Sequence, residues 1–454
     1  MKTLIKNGIL VSSNGKVKSD ILIEGEKIIQ IGENLSGDKV IDASGCLVFP
    51  GFIDGHTHLD MPVSGTVTAD DFATGTAAAL SGGTTMIIDF ATQDRGHTLK
   101  EACEVWHKRA DGNCSCDYGF HMAVTDWNEQ TKKELYQMQD EGITSFKCYY
   151  AYDALMLNDV QMYEILCEMK KIGGVLGVHC ENGPVIDDLK KEAINQGNTS
   201  PAYHPKTRPA ILEGEAVGRF LRIADIAGAK AWIVHLSTKD GLDEIRLARK
   251  RGQDVFVETC PQYLTLDESV YNLEGFESAK YVCSPPLRSK QDKMAIWEAI
   301  ENNEIDIVST DHCSFNFKGQ KELGVDDFTK IPNGMPGIEH RPTVMYTVAV
   351  ATGKISESDM CRMLSEQPAK MFGLFPRKGV LAVGSDADIV IYDPAKNSTI
   401  TAKNQIQNCD YTPYEGFQTC GSVRDVFLRG NHAVQDGKIT NRGFGLYIKR
   451  QKSG

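Results

Sequence analysis

Apolar positions fall into distinct regimes along the chain. Residues 1–50 alternate short apolar runs with tight turns. Leu10-Val11 and Lys16-Val17 flank Asn14-Gly15, a dipeptide that tolerates positive φ and so closes a hairpin. Asp20-Ile21-Leu22-Ile23 and Lys27-Ile28-Ile29-Gln30 flank Glu24-Gly25-Glu26 in the same way. The pattern returns towards the C-terminus in Asp388-Ile389-Val390-Ile391-Tyr392-Asp393, Asp425-Val426-Phe427-Leu428-Arg429-Gly430 and His432-Ala433-Val434. Two-stranded units of this kind are marginal alone. Both ends of the chain are therefore predicted to build one small β-sandwich, with 1–50 its first part and 375–440 its second.

Between the ends, longer apolar runs predict strands at 52–56, 84–90, 118–124, 145–149, 174–179, 232–236, 254–258 and 306–310. Helical stretches separate several of them. Residues 158–172 set Val160, Tyr163, Ile165, Leu166 and Met169 on one side and stop at Gly173-Gly174. Residues 215–226 stop at Gly228, and an Ala-rich helix ends at Ser81-Gly82-Gly83. Alternating strands and helices give a parallel sheet. Eight such units over 51–374 predict a (β/α)8 TIM-like barrel, an α/β fold. A doubly wound sheet shares the local pattern, but no Gly-x-Gly-x-x-Gly follows the first strand.

Composition narrows the partners. A chain of 454 residues can bury a core that needs no disulfide or structural metal. A net charge of -12 argues against nucleic acid or an anionic membrane as main partner, leaving a small molecule. No run of 18 apolar residues predicts a membrane span. The opening Met1-Lys2-Thr3-Leu4-Ile5 turns at Asn7-Gly8, so no secretion signal is expected. Thirteen cysteines without a paired CxxC pattern suit a reducing cytoplasm. The tail, 441–454, carries Arg450-Gln451-Lys452, which reads as a solvated charged run, with subunit contacts as the other reading.

The chemistry concentrates at strand ends, where barrels place their sites. In His56-Thr57-His58, residues two apart share a face in an extended chain, so both imidazoles can approach one ion. His179 and His235 end the fifth and sixth predicted strands, and Asp311 follows the eighth. Each alone has a bland reading as a hydrogen-bonded strand terminus; their recurrence at equivalent positions favours a metal site. Cys180 and His312, each adjacent to a candidate, should point elsewhere. Lys147, in Ser145-Phe146-Lys147, is the odd member. A free ammonium would be repelled by two divalent cations. Carbon dioxide would convert it to a carbamate with one oxygen for each ion, and pairing to a carboxylate or to an anionic substrate is the alternative. Asp311 could touch a metal, orient a bridging hydroxide and move its proton. Tyr152 could donate to an oxyanion. Ser284 and Asn333 sit in turn-like segments whose backbone could read an amide edge, though turn chemistry alone also explains them. Asp54 and Glu181 are candidate supports for the ligands or simply buried polar residues.

Taken together, Pro50-Gly51-Phe52-Ile53-Asp54-Gly55-His56-Thr57-His58-Leu59-Asp60-Met61-Pro62, Gly65-Thr66-Val67-Thr68-Ala69-Asp70-Asp71-Phe72 and Gly82-Gly83-Thr84-Thr85-Met86-Ile87-Ile88-Asp89-Phe90 resemble the cyclic amidohydrolases, most closely the dihydropyrimidinase/hydantoinase group. Ser145-Phe146-Lys147, Val178-His179-Cys180-Glu181-Asn182, His235-Leu236-Ser237, Cys283-Ser284-Pro285-Pro286-Leu287-Arg288 and Asn333-Gly334-Met335-Pro336-Gly337-Ile338-Glu339 extend the similarity over almost the whole chain. The resemblance implies hydrolytic ring opening of 5,6-dihydropyrimidines or 5-substituted hydantoins to N-carbamoyl amino acids. It implies two Zn2+ ions, replaceable by Mn2+ or Co2+. His56, His58, N6-carboxylated Lys147 and Asp311 would hold one; the same Lys147, His179 and His235 would hold the other. Tyr152 would stabilise the oxyanion, Ser284 and Asn333 would fix the cyclic amide through main-chain contacts, and the assembly would be a homotetramer. Dihydroorotase commonly has Arg where Asp60 stands, and allantoinase shares the scheme with different surroundings at Met61-Pro62 and Tyr152. A deaminase of related barrel type, which needs no carbamate at Lys147, and a non-catalytic scaffold are the remaining readings.

Overall fold

The computed structural model describes residues 1–63 and 65–451. Lys452, the end of the predicted charged run, and the two residues after it lie outside the described residues. Eight strands pair in parallel, each beside its neighbour in sequence: Phe52–Thr57, Thr84–Thr92, Asp117–Ala123, Ser145–Tyr149, Val175–His179, Ala231–Ile233, Val255–Thr259 and Ile307–Val308. The ring closes through a parallel bridge between Thr57 and His312 and a 2.8 Å bond from the His58 N–H to the His312 carbonyl. This is the (β/α)8 barrel.

Two strands are shorter than their apolar runs suggest. The sixth stops at Ile233 and the eighth at Val308. The backbone turns into positive φ at His235 (37°) and at Asp311 (50°), which regular extended chain cannot do. Those turns take both side chains out of the ladder.

Alternation within strands sorts side chains between two cores. Met86, Ile88 and Phe90 join Ile53, Val175 and Trp232 in one cluster within the barrel, whereas Ile87 and Ala91 pack with the surrounding helices. Gly177 is required here: a Cβ would lie 2.5 Å from the Trp232 ring. Helix Asp159–Ile172 starts on a capping box between Asn158 and Gln161 and stops at Gly173, φ 69°. Its buried face is Met162, Ile165, Leu166, Met169 and Ile172. Val160 and Tyr163, expected on that face, are exposed, because they fall outside the i, i+3, i+4, i+7 series that begins at Met162. Helix Ala210–Ala227 begins five residues before the predicted 215, directly after Pro209, which follows two short 3-10 turns at Pro201–Tyr203 and Pro205–Thr207.

Strands from both chain ends form one nine-stranded sheet. The seam is Ile389–Asp393, antiparallel to Leu47–Pro50. Ile389 and Ile391 enter a core with Ile5, Ile21, Val48 and Phe427; Val390 and Tyr392, on the other face, join the core that continues into the barrel. Lys378 reinforces this junction. Its buried ammonium lies 2.7 Å from Asp117, 3.3 Å from Asp386 and 2.5 Å from Asp388, and Asp117 also pairs with Arg429.

The C-terminal tail departs from the solvated reading. Tyr447 bridges Tyr118, and Ile448 enters the cluster within the barrel. Arg450 is only 4 % exposed; it donates to Ser145 Oγ (2.8 Å) and to the Phe120 carbonyl. Pairing of the preceding residues with the third barrel strand carries this arginine beneath the sheet, where backbone and hydroxyl acceptors replace water.

Candidate metal centre

A cavity of about 530 Å³ opens at the C-terminal ends of the barrel strands. His56, His58, Lys147, His179, His235 and Asp311 all face it, as do Tyr152, Ser284 and Asn333. The fold therefore brings every predicted metal-ligating and substrate-contacting residue to one place.

The polar atoms form two groups around one lysine. His56 Nε2 and His58 Nε2 each lie 3.2 Å from Asp311 Oδ1. His179 Nδ1 and His235 Nε2 are 3.0 Å apart. Lys147 Nζ lies 3.4 Å from His56 Nε2, and the residue is 1 % exposed. Among the described residues no carboxylate comes within ion-pair distance of it; its neighbours are the rings of Phe90 (4.8 Å) and Tyr149 (5.4 Å). Burial pushes its pKa down to about 8, with the charges of Asp311 and Glu258 acting the other way.

Hydrogen bonds fix which imidazole nitrogens are free. Glu258 Oε1 accepts from the His235 N–H at 3.2 Å and faces His56 Nδ1 at 2.7 Å. An oxygen already accepting there places the His56 proton on Nδ1 and leaves Nε2 as a lone pair. Glu181 Oε2 is 2.8 Å from His179 Nε2, which leaves Nδ1 free. Burial, reinforced by Lys147, holds His56 well below the usual imidazole range. Burial also lowers His179 and His235, so these rings are neutral. A bare imidazole lone pair aimed at the Asp311 carboxylate is two acceptors face to face. That contact is unfavourable until a cation lies between them. His58 Nδ1, His235 Nδ1 and Glu258 Oε2 are buried without a partner among the described residues, a further departure from the near-complete satisfaction expected of buried polar atoms. Neutral imidazoles with a carboxylate suit a borderline divalent cation.

The neighbours of these residues behave as strand alternation requires. Cys180 packs in the helix-facing core. His312 turns away and pairs with Asp70 at 3.1 Å, accepting from the Gly337 and Ile338 N–H groups on its other nitrogen. Asp54 does not face the cavity but accepts from Thr310 N (3.1 Å) and Oγ1 (2.7 Å), tying the first strand to the segment that follows the eighth. Glu181 is held by Arg208 at 2.5 Å and, despite burial, lies well below the usual carboxylate range because of that guanidinium. Arg208 also lies 5.6 Å from the Tyr152 ring. Burial pushes the Tyr152 hydroxyl up to about 12, with Arg208 opposing, so it is a donor at neutral pH. The Asn333 side-chain amide donates to Ser284 Oγ at 2.8 Å, joining the two loops.

Glu258 and Arg208 were not foreseen. Glu258 ends the run Val255-Phe256-Val257, so the rule that selected His179 would have found it. Arg208 lies in a connection between helices, where no periodicity marks it. A second acidic group, Asp117 with Asp386 and Asp388, has ligand-like spacing, but the Lys378 ammonium sits among its carboxylates.

Residues 47–433 match the amidohydrolase family. The chain is 47 % identical to a D-hydantoinase of Geobacillus stearothermophilus over 100 % of its own length and 98 % of that protein's, and 44 % identical to one of Streptomyces coelicolor over 99 % and 98 %. It superimposes on the crystal structure of dihydropyrimidinase from Brevibacillus agri with a TM-score of 0.99 at 46 % identity, covering 100 % of both chains. An L-hydantoinase structure from Arthrobacter aurescens is more distant, with a TM-score of 0.90 at 30 % identity and 99 % of both chains covered.

Proposed function

The chain belongs to the amidohydrolase family, in its dihydropyrimidinase and hydantoinase group, and on that premise we propose how this site opens a cyclic amide. The protein is a metal-dependent hydrolase of cyclic amides. Its substrates are 5,6-dihydropyrimidines and 5-substituted hydantoins, and its products N-carbamoyl amino acids. Met61, Val63, Trp106, Leu155 and Ile331 line the same cavity, which suits an apolar substituent on the ring. The greater similarity to D- than to L-hydantoinases supports a D preference.

His56, His58 and Asp311 would hold one ion and His179 and His235 the other, with Lys147 between them as the carbamate formed when its amine adds carbon dioxide and loses a proton. When bound, zinc ions would polarise the scissile carbonyl and make a water acidic enough to attack near neutral pH. Asp311 accepts the proton of the attacking water and returns it to the departing ring nitrogen. Tyr152, protonated and half-enclosed by Arg208 and the His179 ring, donates to the oxygen that gains charge. Main-chain groups of Ser284 and Asn333 orient the ring amide. Glu181 and Glu258 keep His179 and His56 in the tautomers the site requires.

The observation that carries this reading is the convergence of imidazole lone pairs and one carboxylate oxygen around a buried lysine that has no carboxylate partner among the described residues. Thirteen unbridged cysteines support a reducing, cytoplasmic setting. No helix among the described residues is long and apolar enough to cross a membrane. Family resemblance supports a homotetramer. The test is a panel of dihydrouracil, dihydrothymine, allantoin, dihydroorotate and 5-phenylhydantoin with protein loaded with zinc and bicarbonate. Ureido product from dihydrouracil or the aryl hydantoin is expected. Protein carrying two ions per chain that turns over none of the five would refute the proposal.

A further inference from the structure

Lys321 is a second buried lysine that the chemistry above does not use. It is fully buried, in the long excursion between Asp311 and Asn333. Among the described residues it has no carboxylate partner. Instead its ammonium donates to three main-chain carbonyls: Val282 at 2.8 Å, Pro332 at 2.7 Å and Gly334 at 2.8 Å. Three donors meet three acceptors, so the cation is satisfied without a counter-ion. Burial still costs, and pushes its pKa down to about 8. An apolar side chain would avoid that cost, so the position calls for an explanation.

The three carbonyls belong to two loops of the cavity. Val282 precedes Ser284 by two residues, and Pro332 and Gly334 enclose Asn333. The loops also meet directly, through Gly334 N–H to the Val282 carbonyl (3.0 Å) and Asn333 to Ser284 (2.8 Å). Gly334 has φ 151°, and a Cβ there would lie 2.3 Å from the Cys313 carbonyl, two residues beyond Asp311. The second loop is thus pressed against the segment that carries Asp311. Met335 completes the contact by accepting from the Cys313 N–H at 3.2 Å.

We propose that Lys321 is a positioning residue for the substrate amide: its ammonium clamps the Ser284 and Asn333 loops at a fixed separation, so that their main-chain groups meet the two edges of the ring together. It touches no substrate and acts only through these two loops. The proposal rests on the assignment of Ser284 and Asn333 as ring-binding residues, and the test separates the two ideas.

Lys321→Met keeps the length of the side chain and removes all three donors. Lys321→Arg keeps the charge but cannot place three donors on the same carbonyls. With zinc-loaded protein and dihydrouracil, KM should rise about tenfold or more in Lys321→Met and less in Lys321→Arg, with kcat within about threefold, as when binding common to ground and transition states is lost. Metal content should be unchanged. Amide hydrogen exchange at residues 282–284 and at 331 and 333–335 should quicken in both variants while strand Val175–His179 stays protected. This readout needs no turnover. If Lys321→Met does not fold, Lys321→Arg carries the same test. A KM within about twofold of the parent in a folded variant whose two loops exchange faster would show that the clamp exists but does not serve the substrate, and would overturn the proposal. Unchanged exchange would overturn the clamp itself. Wild-type protein that hydrolyses no cyclic amide yet shows the exchange difference would refute the proposed function and leave the clamp standing.

Discussion

Glu258 shows how much of a site one unremarked side chain can decide. By accepting from His235 N–H and facing His56 Nδ1, it leaves His56 Nε2 free to meet Asp311. Glu258→Leu should therefore weaken metal retention about tenfold to a hundredfold, measured by competition with a chelator. Asp311→Asn tests a different property. If Asp311 carries the proton, metal analysis should find both ions retained while turnover falls by about two to four orders of magnitude. Near-normal turnover in the fully loaded variant would remove that role. At this scale the sequence was legible where chemistry coincided with a strand end. Histidines recur there at equivalent positions, so His56, His58, His179 and His235 stood out together where each alone would not. Glu258 did not, because a single acid after an apolar run is also an ordinary strand terminus. Arg208 and Lys321 reach their partners from the edges of short 3-10 turns within long connections, whose course follows no period that a sequence displays.

Among elements, strand order was legible and strand ends were not. Apolar runs located all eight barrel strands, since burial on both faces leaves a continuous signature. The runs through Val234-His235-Leu236 and Ser309-Thr310 nevertheless continue past the last paired residues, because what stops these strands is backbone at positive φ on non-glycine residues. Helix Asp159–Ile172 gives the complementary case. Its caps were readable, but assigning Val160 and Tyr163 to the buried face required choosing between two overlapping stripes, and only packing chose. The same packing makes Gly177 intolerant of a methyl group. Gly177→Ala would force the Trp232 indole against its neighbours. A loss of about 1–3 kcal/mol is expected in denaturant-induced unfolding, with no change in secondary-structure content. A substitution that costs nothing would mean that the indole has room to move.

The molecule as a whole is joined across its junction by Lys378 and its three aspartates. Burial alone would raise the Asp386 carboxyl, but Lys378, with Lys27 and Arg377, outweighs it and holds the pKa below the ordinary value. A depressed folded pKa contributes stability above the unfolded value, about 3.9, and loses it as pH falls through the folded one. Thermal stability should therefore fall as pH drops below about 4. Lys378→Met should reverse the sign. Asp388 left without a cation, beside Asp117 and Asp386 that keep only Arg429 and the Lys27–Arg377 pair, should cost about 3–5 kcal/mol near neutrality, and mild acid should restore part of it. Melting curves from pH 7 to pH 3 for both proteins would decide. The shared sheet has a further consequence, for synthesis. Leu47–Pro50 is translated early, yet its partner Ile389–Asp393 emerges only after the barrel. Until then the ribosome holds a chain with one unclosed ladder edge, ready to pair with whatever strand is near. Messages cut short inside the barrel would yield sticky fragments, and a holding chaperone would be needed most during that interval.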